Sequence, residues 1–321
     1  MKRIAILTSG GDAPGMNAAV RAVTKVALSK GMEVFGVKRG YLGMLHDEIF
    51  QMNGSHVSGI IDRGGTVLLT ARCLEFKDPK FRAIAAENLK KRGIEGLVVV
   101  GGDGSYRGAD LLSKEHGIKV VGLPGTIDND IIGTEYTIGF DTCLNTILDA
   151  MSKLRDTATS HERTILMEVM GRHAGDLALH ATLAGGGDGI LIPEITEPIE
   201  MLAYQIKERR RQGKLHDIVL VAEGAGSVFE IEKQLKEIVT TEVRSVVLAH
   251  VQRGGTPSGF DRVLATKMGA RAVELLEAGE GGVMVGIESN DIITHPISFA
   301  WEGTRKYDIK KDYELALTLC K

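Results

Sequence analysis

The sequence predicts an α/β fold with mostly parallel sheets, on three observations. Seven short apolar runs lack polar alternation, helical patterns fall between them, and almost every polar cluster follows one of the runs directly. Runs without alternation read as strands buried on both faces, which is how parallel strands lie under covering helices. Strands alternating with helices then give an α/β architecture with right-handed crossovers.

The runs are, in order, "RIAILTSGG", "EGLVVVGGDGS", "KVVGLPGT", "TILMEVMGR", "DGILIPE", "DIVLVAEGAG" and "SVVLAHVQRGG". Each core is mostly β-branched or leucine and ends in a glycine-rich turn. The helical pattern over 13–29 starts with Pro14 near its first position and continues through Ala18, Ala19, Val20, Val23, Val26 and Ala27. Residues 141–155 place Leu144, Ile147, Leu148, Met151 and Leu154 on one stripe, with Asp141 or Thr142 as N-cap. A third long helix is predicted over 258–278. Ligands of open α/β sheets bind outside the carboxyl ends of the strands, so the turns predict one or two clefts. The tetrad "RGGT" occurs at 63–66 and again at 253–256, and reads either as a trace of duplication or as chance.

A length of 321 residues suggests two domains of about 150 residues each. The chain is 43% apolar and 25% charged, which is ordinary for a soluble globular protein. A net charge of −3 gives no global attraction to nucleic acid or membrane, so any polyanion must be held by local basic groups. No run approaches the ~20 apolar residues of a membrane span. The first apolar run is too short for a signal peptide and reads as a strand. Cys73, Cys143 and Cys320 form no CxxC and read as reduced cytoplasmic thiols. The 40 glycines imply tight turns and close backbone approaches to a ligand.

Four clusters can carry chemistry. In "VVVGGDGSYRGADLL" (98–112), Gly101, Gly102 and Gly104 let backbone N–H groups approach an anion at a helix start. Asp103 either holds a Mg²⁺ that bridges it to a phosphate, or caps the helix that follows. In "GLPGTIDNDIIGT" (122–134), Asp128 and Asp130 either accept a hydroxyl proton and support that base, or cap a turn as solvated acids. In "EVMGRHAGDLA" (168–178), Arg172 can pair with a phosphate or stabilise charge in transfer, and His173 is unassigned. Arg163, Arg244, Arg253 and His250 sit at the ends of apolar runs and suit a sugar-phosphate pocket, and Arg72 is placed similarly. Motifs of P-loop enzymes, zinc proteases and serine hydrolases are absent.

Five segments occur in order: "TSGGDAPGMNA" (8–18), "GGDGS" (101–105), "PGTIDND" (124–130), "MGR" (170–172) and "HVQRGG" (250–255). Together they resemble the bacterial ATP-dependent 6-phosphofructokinase family over essentially the whole chain. A lipid or NAD kinase would share the GGDG-type turn without needing the other segments.

The resemblance implies two similar Rossmann-like three-layer domains with the active-site cleft between them. It puts an ATP-binding domain at 1–138 plus about 256–304, and a fructose-6-phosphate domain at 139–255 plus about 305–321. By resemblance, Asp128 is the general base beside Thr126, Asp103 carries Mg²⁺, and Arg172 and Arg72 stabilise charge. Gly11, Arg72, Cys73, Gly102, Asp103, Gly104 and Ser105 match ATP positions. Thr126, Ile127, Asp128, Met170, Gly171, Arg172 and Glu223 match sugar-phosphate positions, as do His250, Val251, Gln252 and Arg253. Arg163 and Arg244 match positions that reach a neighbouring subunit's site, which implies a cytoplasmic homotetramer, a dimer of dimers. Pyrophosphate-using members resemble "GGDDS" and "PKTIDND", whereas this chain has Gly104 and Gly125, so the expected donor is ATP.

The family's effector site, for ADP and phosphoenolpyruvate, matches Arg21, Ala22, Val23, Thr24 and Lys25, then Arg155, Gly186, Gly187 and Asp188. It continues with Gln212, Lys214, Leu215 and His216. Three departures predict blunted regulation. Gly54 replaces a frequent arginine, Gln212 a usual lysine, and Asp188 a usual glutamate.

Overall fold

A computed structural model describes residues 1–320. The chain opens with β1 (Arg3–Thr8), α1 (Met16–Ser29), β2 (Glu33–Val37), α2 (Gly40–Leu45) and β3 (Ile49–Met52). It continues through α3 (Pro79–Lys90), β4 (Gly96–Gly101), α4 (Asp103–His116), β5 (Lys119–Pro124) and α5 (Phe140–His161). Next come β6 (Thr164–Val169), α6 (Asp176–Gly185), β7 (Gly189–Leu191), α7 (Ile199–Arg211) and β8 (Asp217–Ala222). Then follow α8 (Val228–Ile238), β9 (Val243–Val247), α9 (Gly259–Glu277), β10 (Val283–Glu288) and β11 (Asp291–Pro296), and the chain closes with α10 (Phe299–Glu302) and α11 (Ile309–Leu319).

Two compact units result. The first comprises residues 1–127, 131–142 and 253–305; the second comprises 128–130, 143–252 and 306–321. The first unit's sheet has seven strands in the order β11-β10-β5-β4-β1-β2-β3. Its five inner strands are parallel, while β3 and β11 are antiparallel edges. The second unit's sheet is β7-β8-β6-β9, parallel throughout.

All seven apolar runs are strands. The central ones are buried on both faces: Leu97 to Val100 of β4 and Ile218 to Ala222 of β8 have no exposed surface. Each such valine, leucine or isoleucine contributes ~1.5–3 kcal/mol of burial, most of it offset by lost conformational entropy. Each unit has an apolar core among the described residues. One includes Leu7, Leu97, Val99, Tyr106 and Leu112 of the first unit; the other includes Leu166, Leu202, Ile206, Val219 and Leu235 of the second.

Two helix starts differ from the sequence expectation. α1 begins at Met16, not at Pro14, because Gly15 is left-handed (φ 106°) and the helix can only start after it. α5 runs from Phe140 to His161, and its start is held by a residue more than a hundred positions away. Asp261, fully buried in α9, accepts hydrogen bonds from the backbone N–H of Gly139 and of Thr142 at 2.8 Å each. It also accepts from the Thr142 hydroxyl at 2.5 Å. Burial pushes the Asp261 carboxyl above its ordinary pKa, and these bonds oppose the rise.

Replacing Asp261 strands three buried donors at the start of α5. Asp261→Ala is therefore expected to destabilise the chain by about 2–4 kcal/mol, read as a lower urea midpoint at unchanged slope.

Candidate active site

The turn after β4 depends on a backbone contact. A Cβ at Gly101 would stand 2.6 Å from the Ser9 carbonyl oxygen and 2.7 Å from Ser105 Oγ. With no side chain there, the ends of β1 and β4 close together, and Ser105 Oγ donates to Ser9 Oγ at 2.9 Å. Gly102 is the N-cap of α4, and Asp103 is its first helical residue. The helix-cap reading of Asp103 is thereby removed. Its carboxylate instead accepts from Arg107 Nε, at 3.1 Å to each oxygen, and the Arg107 guanidinium lies 4.7 Å from the centre of the Trp301 ring. Nothing lies within 4 Å of a Cβ built at Gly104, so the turn is open on that side.

Among the described residues, no group of three His, Cys, Asp or Glu side chains forms a metal cage. That donor set still fits Mg²⁺ in one form. This ion is held by one or two carboxylates plus substrate phosphates and retains waters, and Asp103 beside an open glycine turn offers the single carboxylate required.

The remaining residues expected on the ATP side also belong to the first unit. Gly11 lies against the guanidinium of Arg253, whose Nη1 donates to the Asp12 carbonyl at 3.2 Å. Arg72 is exposed. Cys73 is half-buried, and burial raises its thiol pKa. All three cysteines are free thiols.

Beyond β5, Thr126, Ile127, Asp128 and Asn129 are buried and Asp130 is half-buried. The Thr126 carbonyl accepts from Thr137 Oγ1 at 2.6 Å. Asn129 is left-handed (φ 53°), a conformation that asparagine tolerates, and its Nδ2 reaches Asp176 Oδ1 at 3.5 Å. The Asp128 carboxylate, 2% exposed, lies 3.4 Å from Arg172 Nε. Arg172 thus sets a positive charge beside a buried acid.

The Arg172 turn is itself strained and held. Its φ is 55°, a region that bulky residues occupy only where surroundings enforce it. Glu223 Oε1 enforces it by accepting from the N–H of Gly171 at 3.2 Å and of Arg172 at 2.7 Å. Gln252, fully buried, accepts from the N–H of Met170 at 3.1 Å. Two positions assigned to the sugar phosphate thus spend polar atoms on holding the turn. His250 and Val251 are exposed on the same 3₁₀ turn, Ala249–Arg253.

Arg163 and Arg244 converge, through a residue that no motif singled out. Arg163 Nε donates to Glu242 Oε2 at 2.6 Å, and Arg244 Nε to Glu242 Oε1 at 2.8 Å. Parallel pairing of β6 with β9 aligns Thr164 with Val243, so Glu242 lies beside Arg163. The "TEVR" spacing contained the signal: an acid two residues from an arginine on one strand shares its face.

The effector-matching positions divide between the units. In the first, Ala22, Val23 and Thr24 are buried in α1, leaving Arg21 and Lys25 with exposed surface; Gly54 is exposed. In the second, Arg155 Nη2 donates to the carbonyls of Gly185 at 2.6 Å and Gly186 at 2.9 Å. Lys214 pairs with Asp188, and Asp188 Oδ2 also accepts from the Ile218 N–H at 2.7 Å. Gly187 is buried and Gln212 exposed. Leu215 is half exposed, and His216 Nδ1 lies 3.2 Å from Thr159 Oγ1.

Fold and turns together define an α/β protein with glycine-rich turns at the ends of its parallel strands. The chain belongs to the phosphofructokinase family, whose model matches residues 3–276. It is 72% identical over 320 residues to the ATP-dependent 6-phosphofructokinase of Fusobacterium nucleatum, covering 100% of this chain and 99% of that protein. It is 56% identical to the enzyme of that name from Bacillus cereus, with 99% of each chain covered. Its fold matches phosphofructokinase from Saccharomyces cerevisiae with a TM-score of 0.90 and 36% identity, over 99% of this chain and 47% of that one. A pyrophosphate-dependent phosphofructokinase from Marinobacter aquaeolei shares the fold at a TM-score of 0.87 and 22% identity, over 100% of this chain and 91% of that one.

The Glu242 tie has a pH signature. Hydrogen bonds from Arg163, then from Arg244, hold this carboxyl below its ordinary range. A depressed folded pKa contributes stability that is present above the unfolded value of ~4.3 and is lost as pH falls through the folded one. The thermal midpoint of Glu242→Gln should therefore lie below wild type near neutral pH and converge with it in acid. Parallel midpoint curves across that window would refute the tie.

Proposed function

We propose that this chain is a glycolytic kinase that transfers the γ-phosphoryl of ATP to the 1-hydroxyl of fructose 6-phosphate, giving fructose 1,6-bisphosphate and ADP. The observation that carries the reading is the buried Asp128 carboxylate set against Arg172 at 3.4 Å, in a chain whose relatives bear that activity in their names.

Asp128 takes the proton as the sugar oxygen bonds to the γ-phosphorus, and the bond to the bridging oxygen of ADP breaks. Thr126 helps to place the hydroxyl. Arg172 offsets the charge of Asp128 in the resting site and meets the charge of the transferring group during reaction. Arg72 adds positive field on the nucleotide side. Gly11, Cys73 and Gly102 to Ser105 cradle ATP. Mg²⁺, when bound at Asp103, neutralises phosphate charge. Ile127, Met170, Gly171, Glu223 and His250 to Arg253 hold the sugar phosphate. Arg163 and Arg244 serve a neighbouring subunit in a cytoplasmic homotetramer.

Two positions support ATP as donor. The open space at Gly104 leaves room for a nucleotide, where an aspartate would repel its phosphates. Gly125 is a packing position as well: a Cβ there would stand 2.8 Å from Val100 Cγ1 and 3.1 Å from Met16 Cε, so a lysine requires both to move. A coupled assay offered ATP, then pyrophosphate, with fructose 6-phosphate tests the reading. Activity with pyrophosphate alone would overturn it.

Asp128→Asn should lower kcat by about 10²–10⁴-fold with the fold retained by circular dichroism. A variant with near wild-type kcat would sink the assignment of the base.

Regulation by ADP and phosphoenolpyruvate is proposed to be blunted. Two of the expected cations are absent at Gly54 and Gln212, and Lys214 is already paired with Asp188. Fructose 6-phosphate saturation should stay close to hyperbolic with phosphoenolpyruvate present. Strong sigmoidicity relieved by ADP would count against this.

A further inference from the structure

Asn17 lies on α1 with 1% of its surface exposed, among apolar neighbours, and the chemistry above does not use it. Its side-chain hydrogen bonds reach one loop. Nδ2 donates to the carbonyls of Arg63 at 3.0 Å and Gly64 at 3.2 Å, and Oδ1 accepts from the Val67 N–H at 2.8 Å. These atoms belong to the first "RGGT" tetrad and the residue after it. The two tetrads meet: Gly64 packs against the backbone of Gly255, so closely that a Cβ at 64 would overlap the Gly255 carbonyl.

The same loop is tied down again before it reaches Arg72. Thr66 Oγ1 lies 2.9 Å from Thr8 Oγ1, which also donates to the Leu69 carbonyl at 2.9 Å. The Arg39 N–H donates to the Leu68 carbonyl at 2.8 Å. Thr70 Oγ1 donates to the Gly10 carbonyl at 2.8 Å. Leu69, 52% exposed, is held left-handed at φ 60° within these ties. An exposed leucine gains nothing by itself from that conformation, so the loop imposes it.

We infer that Asn17 is a positioning residue for Arg72. It anchors the root of the loop whose tip presents that guanidinium to the nucleotide. The inference rests on the reading of Arg72 as a charge-stabilising group on the donor side. Positioning residues act steeply, because a misplacement of about 1 Å can cost ~100-fold in rate.

The test is a double-mutant cycle on the full-length enzyme with ATP and fructose 6-phosphate. Asn17→Ser should lower kcat/KM for ATP about 10-fold or more, with KM for fructose 6-phosphate held within about threefold. Combined with Arg72→Ala, it should cost no more than Arg72→Ala alone. Thr70→Val removes only the outer tie and should give the same split more weakly, which keeps the test open where Asn17→Ser does not fold. Losses that multiply in the double variants, or a lowered thermal midpoint with unchanged ATP constants, would overturn the inference. Wild-type constants in Arg72→Ala would overturn the reading of Arg72, and with it this inference.

Discussion

The turn chemistry of the first unit depends on bare backbone at Gly101. The Ser9 carbonyl oxygen occupies the place where a side chain would begin, so the ends of β1 and β4 close on each other without an intervening group. Parallel strands make this contact useful. Their carboxyl ends lie side by side, and each ends in a turn that must leave the sheet within a few residues. Once β1 and β4 are locked, the start of α4 is fixed, and the carboxylate of Asp103 with it. Gly125 extends the lock by donating its N–H to the Gly101 carbonyl at 3.1 Å.

The charges follow a second rule. Three carboxylates in or beside the proposed chemistry face an arginine: Asp103 faces Arg107, Asp128 faces Arg172, and Glu242 faces Arg163 and Arg244. Exposed pairs add only about 0–1 kcal/mol each, so stability does not explain the pattern. Orientation does. A guanidinium on a flexible stem loses several rotatable bonds of freedom when it meets a phosphate, and a carboxylate that already fixes it reduces that loss. The Asp128 pair differs from the rest because its carboxylate is buried, where a charge without a partner is costly.

How much of this was legible depends on range along the chain. The seven apolar runs announced seven strands, most of them because burial on both faces leaves an unbroken apolar signature; β9 is an exception, an edge strand with only Val243 buried. The other four gave weaker signals. β3 and β11 are antiparallel edges with mixed burial, "EVFGV" is interrupted by Gly36, and "VMVGIE" was not separated from the polar segment after it. The polar residues after strands were legible by type and position. Their partners were not, because Asn17, Asp261 and Glu242 act on atoms 46, 119 and 79 positions away. A buried asparagine on an apolar helix stripe has no local reason to be there, and that oddity alone could have drawn attention to Asn17. Gly125 shows the converse. Sequence treats it as a missing charge, whereas packing against Val100 and Met16 makes it first a question of space.

The loop at Gly186–Asp188 shows what one shorter side chain can do. Asp188 is buried, and its two oxygens are divided between Lys214 and the Ile218 N–H. Arg155 is spent on the carbonyls that end α6. Cys320 Sγ donates to the Gly187 carbonyl at 3.2 Å, and burial lifts that thiol to about 11. The C-terminal end is tied in turn, since Arg209 donates to the Cys320 carbonyl at 3.1 Å while paired with buried Asp217. An anion arriving at this loop must therefore compete with a buried carboxylate for Lys214 and with backbone carbonyls for Arg155. Freeing Lys214 leaves Asp188 buried without its cation, a cost that a solvated anion can repay only with several good hydrogen bonds. The loop is built as a closed network rather than as an open cationic cradle, and that closure supports the proposal of blunted regulation as much as the missing cations do.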